Sequence, residues 1–141
     1  MRAALESYAA AKAAEKLEAP GIGRLEQSCE VMHHIAQELE KHAGEELQHA
    51  LKIAKQIDYL NGEPINEPKE VKVSSKAKDM LKFDLENERV TIVNYRQRIR
   101  QADAMGEFAL GEVLRGIIAQ EQEHLQDLAD ALGIDTPKIE E

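Results

Sequence analysis

The strongest constraint on this fold is a pair of Glu-x-x-His motifs lodged in the core stripes of two long helical segments. Glu46-Leu47-Gln48-His49 and Glu121-Gln122-Glu123-His124 each fall where apolar periodicity reserves a place for a buried side chain. One stripe runs Ile35, Leu39, His42, Glu46, His49, Ile53, Ile57, Leu60; the other runs Leu110, Leu114, Ile117, Glu121, His124, Leu128, Leu132. Steps of three and four keep residues on one helix face, so these carboxylates and imidazoles point inward. A buried carboxylate is costly unless its charge is compensated. Two such pairs facing each other suggest that the compensation is a metal.

Aromatic residues are only 4% of the chain and there is no Trp. With abundant Ala, Leu, Glu, Lys and Gln, this predicts an all-α protein. At 141 residues, the chain has the length of one domain, 1–141, with a proper core. A net charge of -9 argues against a nucleic-acid groove and against an anionic membrane surface, and suits a protein that handles cations. The single cysteine, Cys29, excludes an internal disulfide framework and fits a reducing compartment; it is expected to be a small buried or interfacial hydrophobe. The N-terminus shows no signal-peptide apolar region, and no apolar run approaches a membrane span. A soluble cytoplasmic protein with neither membrane nor nucleic-acid partner is expected.

Residues 2–18 read as an Ala-rich first helix ending at a turn, Pro20-Gly21-Ile22-Gly23. Residues 24–60 read as a second helix of about 37 residues, roughly 55 Å long, stopped by Asn61-Gly62. Residues 61–73, with Pro64 and Pro68, read as an extended connection. Ser74 or Ser75 should cap a third helix lasting to about residue 104. Gly106 marks a short turn, the fourth helix covers about 107–132, and Gly133 ends it. Short turns make helices one and two, and three and four, antiparallel neighbours. The longer connection, at roughly 3.3 Å per residue, can run the length of a bundle. The expected architecture is a four-helix bundle, up-down-down-up, with one long crossover between helices two and three.

A carboxylate and an imidazole at i and i+3 lie side by side and can bind one ion together. The third helix offers a further wall, because its stripe is Leu81, Leu85, Glu88, Ile92, Tyr95, Ile99, Ala102. Folding back at the turn near 105–106 brings Glu88 level with Glu121 and His124. Oxygen ligands with one imidazole per ion suit iron or manganese better than a structural zinc.

With these residues in place, the chain resembles the ferritin-like di-iron carboxylate superfamily, and within it the bacterioferritins and small Dps-like ferritins. Asp84-Leu85-Glu86-Asn87-Glu88 with Asn94, Arg96 and Ile99 is similar to the bacterioferritin third helix, and Gln120-Glu121-Gln122-Glu123-His124 to its fourth. Glu45-Glu46-Leu47-Gln48-His49-Ala50, followed by Leu60-Asn61-Gly62-Glu63-Pro64, is similar to its second helix and exit. The resemblance implies two iron ions held by Glu46, His49, Glu88, Glu121 and His124, with manganese or zinc as substitutes. It also implies a first-helix glutamate, for which Glu15 stands 31 positions before Glu46 and Glu6 is the other candidate. Yet a hairpin at 20–23 would leave Glu15 near the turn and Glu46 about 23 residues, roughly 35 Å, away. The first-helix ligand is therefore displaced, supplied otherwise or missing, unless the hairpin turns elsewhere.

The resemblance implies Fe(II) oxidation by dioxygen or hydrogen peroxide, and iron storage or detoxification in a homo-oligomer. The chain stops nine residues after Leu132, which favours a dodecamer over a larger cage, with a dimer as the simpler assembly. Leu47 occupies the position after the second-helix glutamate where haem-binding relatives use methionine, so no haem is expected. The alternative reading is a di-iron enzyme, a rubrerythrin-like peroxidase or a hydroxylase, although one cysteine excludes a rubredoxin-type domain. His42 reads as a core-edge histidine bonded to Glu46 or Glu38, or else as an extra ligand or iron-access residue. His33 and His34 read as surface or interface residues. Arg96, Arg98 and Arg100 read as a solvated face and Tyr95 as core packing.

Overall fold

The computed structural model describes residues 19–65, 67 and 69–140, with side chains from residue 23 onward. The expected first helix, with Glu6 and Glu15, lies outside the described residues. Among the described residues the chain is helical and contains no strand: α1 is Ala19–Tyr59, α2 is Ala77–Met105 and α3 is Phe108–Leu132. Contacts divide the chain into two compact units, Met1–Glu40 and Lys41–Glu141.

In the first unit, the turn expected at Pro20-Gly21-Ile22-Gly23 does not occur, because all four residues belong to α1. Pro20 is the second residue of that helix, and in a first turn a missing N–H breaks no intrahelical bond. The two glycines cost about 1 kcal/mol each relative to Ala, which is too little to stop a helix unaided. Leu25, Val31 and Met32 are exposed, as are His33 and His34. Cys29 is exposed as well, against the expectation of a buried or interfacial thiol.

The second unit is built on an α2–α3 hairpin. Its core comprises Ile92 and Ala102 from α2 with Leu114, Ile117, Leu125, Leu128 and Ala129 from α3. Ile92 and Ile117 are wholly buried, and each such side chain contributes about 1.5–3 kcal/mol. Thr136 Oγ1 donates to Gln126 and Arg96 donates to the Ile139 carbonyl, holding the C-terminal tail against the helices.

All three helices end in the same way. The left-handed residue is Asn61 (φ 58°), Gly106 (φ 77°) or Gly133 (φ 67°). Its amide and the following one bond back into the last turn: Asn61 to Asp58 and Gly62 to Ile57, Gly106 to Asp103 and Glu107 to Ala102, Gly133 to Asp130 and Ile134 to Ala129. These pairs satisfy carbonyls that the helix itself leaves open. At the start of α2 the cap differs from expectation. Lys76 is the N-cap without a side-chain bond, while Ser74 Oγ accepts the Lys76 amide and donates to Asp79.

Cross-helix pairs set the directions. His42 meets Asp127, Glu45 meets His124 and His49 meets Gln120, so residues 41–59 of α1 run antiparallel to α3. The tight turn at Gly106 makes α2 antiparallel to α3 as well. The stretch 41–59 and α2 therefore run parallel, joined by residues 60–76, whose described members are non-helical.

Candidate metal centre

Three helices converge on one cluster. Residues 41–59 of α1 supply Glu46 and His49, α2 supplies Glu88, and α3 supplies Glu121 and His124. His49, Glu121 and His124 are almost fully buried at 2%, 0% and 1% exposure. Glu88 is largely buried, with its side chain 15% exposed, whereas the Glu46 side chain is 49% exposed at the rim. Glu46, Glu88, Glu121 and His124 each place one ligand atom within 4.8 Å of the others.

The two imidazoles enter this cluster in the same sense. His49 Nδ1 lies 3.3 Å from Glu46 Oε1 and 3.1 Å from Glu121 Oε1. His124 Nδ1 lies 3.4 Å from Glu46 Oε1, 3.9 Å from Glu121 Oε2 and 3.9 Å from Glu88 Oε1. Glu46 and Glu121 thus reach both histidines, while Glu88 serves the His124 side. Two unequal positions result, one bounded by His124 and Glu88 and the other by His49.

Each outer nitrogen, Nε2, is held from behind by the opposite helix. His124 Nε2 is 2.8 Å from Glu45 Oε2, and His49 Nε2 is 3.0 Å from Gln120 Oε1. A carboxylate such as Glu45 only accepts, so the proton on His124 belongs on Nε2. Gln120 Nε2 donates to Glu45 Oε1 at 3.4 Å, which turns the amide oxygen towards His49 and fixes its Nε2–H too. Both Nδ1 lone pairs are left for the cluster, the arrangement in which an outer partner orients a metal-binding imidazole.

Charge has accumulated here. Burial, then the adjoining Glu121 carboxylate, push Glu88 from an ordinary 4.5 up to about 9. Burial alone would lower His124, but the adjoining Glu46 carboxylate, the bond to Glu45 and the charges of Glu88 and Glu121 outweigh it and raise the ring to about 9. His124, bonded to Glu45 and adjoining Glu46, holds both carboxylates below the usual range, against the effect of burial. Tyr95 is pushed upward by burial and by the nearby charges of Glu121, Glu46 and Glu88.

One observation tests whether a cation fits. His49 Nδ1, His124 Nδ1 and both Glu121 oxygens are buried without a hydrogen-bond partner. Buried polar atoms are almost always satisfied, and orphans are expensive. Here four orphans are all ligand-type atoms at the two adjoining positions, and a divalent cation at each would satisfy them.

The Ferritin-like domain family matches residues 30–136 of this chain. The chain belongs to the ferritin-like family. No solved structure matches it. The matched span contains Glu46, His49, Glu88, Glu121 and His124, the five described residues singled out from the sequence, and the ferritin-like chain brings all five together.

Three neighbours were missed. Glu45 and Gln120 each immediately precede the glutamate of a Glu-x-x-His motif, so the doubled pattern is one residue longer than it first reads. That shared polar residue was the available signal. His42 was expected to bond along its own helix to Glu46 or Glu38; its Nε2 instead meets Asp127 Oδ2, across on α3, at 3.1 Å. Its ring stacks on His124 with centroids 4.0 Å apart.

Proposed function

We propose that this ferritin-like chain binds iron between Glu46, His49, Glu88, Glu121 and His124, oxidises Fe(II), and stores or detoxifies the product in a homo-oligomer. The observation that carries the reading is the convergence of four unsatisfied, buried ligand atoms inside a family-matched helical domain. Ferrous iron is the substrate and supplies the electrons that reduce dioxygen or hydrogen peroxide. The chain's own work is to bind and orient. The two Nδ1 atoms offer neutral donors, Glu46 and Glu121 span both positions, and Glu88 adds charge on the His124 side. Binding must displace the protons that Glu88 and His124 hold in the metal-free protein.

The half-exposed Glu46 lies beside Leu47 and Leu51, which are 59% and 48% exposed. Glu46 and these two leucines form an open flank of residues 41–59. Manganese or zinc can substitute at such a ligand set. Storage needs an enclosing shell, and a dodecamer is the assembly proposed.

The test loads metal-free protein with Fe(II) under argon, admits air, and follows oxidation and particle size together. Iron retained far beyond two per chain in a large oligomer is the expected result. Two ions bound with no further uptake would sink storage and leave a di-iron enzyme.

A further inference from the structure

We propose that His42 is a positioning residue for His124, fixing the plane of that imidazole so that Nδ1 aims into the cluster. His42 is 6% exposed and its ring stacks on His124 at 4.0 Å between centroids and 24° between planes. Its Nε2 is anchored by Asp127 Oδ2 at 3.1 Å. Asp127 lies three residues beyond His124 on α3, so the α1 ring is clamped between two side chains of one α3 face. The bond from Glu45 fixes one atom of His124, Nε2, and a single hydrogen bond leaves the ring free to pivot about it. A stacked ring removes that freedom, as supporting contacts do for precisely oriented ligands. The His49 ring stands farther off, at 6.1 Å from His124, so the clamp acts on the His124 position.

This inference rests on the metal-centre reading above, and its test separates the two. Metal-free protein is titrated with Co(II) under argon, following the visible bands and the affinity of each position. Wild type should bind, and Glu121→Gln should not. His42→Ala should weaken the His124 position by about 10–100-fold and change its spectrum, with the other position changed less than threefold. His42→Phe keeps the stack and should restore affinity to within about threefold. Asp127→Ala removes only the anchor and should give an intermediate loss; it carries the test if His42→Ala loses its helical circular dichroism.

Wild-type affinity and spectrum in both His42→Ala and Asp127→Ala would overturn the positioning role while leaving the centre intact. So would equal losses at both positions, or a His42→Phe variant as weak as His42→Ala. A wild-type protein that takes up no Co(II) would overturn the centre and the positioning role together.

Discussion

His124 on α3 is held by Glu45 on α1, with Nε2 2.8 Å from the Glu45 carboxylate. The relationship is reciprocal, since His49 on α1 is held by Gln120 on α3 at 3.0 Å. The residue preceding each motif thus serves the histidine of the other motif. Removing either partner frees an imidazole to change tautomer or swing. Glu45→Ala and Gln120→Ala should each weaken metal binding by about 10–100-fold. Glu45→Gln retains an acceptor and should lose less, as anaerobic metal titration will read directly.

Proton linkage gives the metal-free protein a distinctive stability profile. Glu88, faced by Glu46 of α1 and by Glu121 and His124 of α3, holds its proton to about 9 when folded, against an ordinary 4.5. His124, faced by Glu45, Glu46 and His42 of α1, by Glu88 of α2 and by Glu121 of its own helix, holds its proton to about 9 against 6.5. In each window the folded state binds more protons than the unfolded state, so stability falls as pH rises. The Tm of metal-free protein should therefore drop between pH 6 and pH 9. With metal replacing those protons, the loaded protein should drop less. Calorimetry across that range checks both statements, and a metal-free Tm that climbs with pH contradicts them. Glu45 and Glu46, held low, act with the opposite sign and matter only in more acidic solution.

Glu88→Gln separates binding from folding. Neutral Glu88 and Gln have the same shape, and Gln takes away the ionisation that favours the unfolded state above pH 4.5, so the metal-free variant should melt above wild type at pH 7 and its Tm should fall less between pH 6 and pH 9. Metal affinity at the His124 position should fall by at least about tenfold, since a charged ligand is gone. Thermal melts and titration of one preparation give both numbers.

Two glycines of α3 should respond differently to alanine. A Cβ on Gly116 meets nothing within 4 Å, whereas one on Gly111 lies 2.9 Å from both Arg115 Nη1 and Asp103 Oδ1. Gly116→Ala should stabilise by about 0.5–1 kcal/mol from helix propensity. Gly111→Ala must displace the Arg115–Asp103 ion pair that ties α3 to α2. That pair is part-exposed and worth about 1 kcal/mol at most, so the propensity gain should be cancelled. Denaturant unfolding of the two variants makes the comparison.

Much of this was legible because helix periodicity reports which face a residue occupies. Leu114, Ile117, Glu121, His124 and Leu128 lie on the expected stripe and are all buried. Asn61, Gly106 and Gly133 punctuate the helix ends because few residues tolerate the left-handed conformation found there. Periodicity does not say which atom on a facing helix will be met, so the bonds from Glu45, Gln120 and Asp127 could not be read. Pro20 misled for a different reason, because its breaking power depends on its place in a helix and is spent harmlessly in a first turn. Glu46 is only half-buried, because its stripe position faces the open flank of α1.

The central claim is that Glu46, His49, Glu88, Glu121 and His124 form one metal centre, and anaerobic Fe(II) binding tests it most directly. Equilibrium titration of metal-free wild type and Glu121→Ala should give two Fe(II) per chain for the former and at least about a hundredfold weaker binding for the latter, as loss of a buried charged ligand implies. No iron on the wild type, or equal binding by both proteins, would contradict the account.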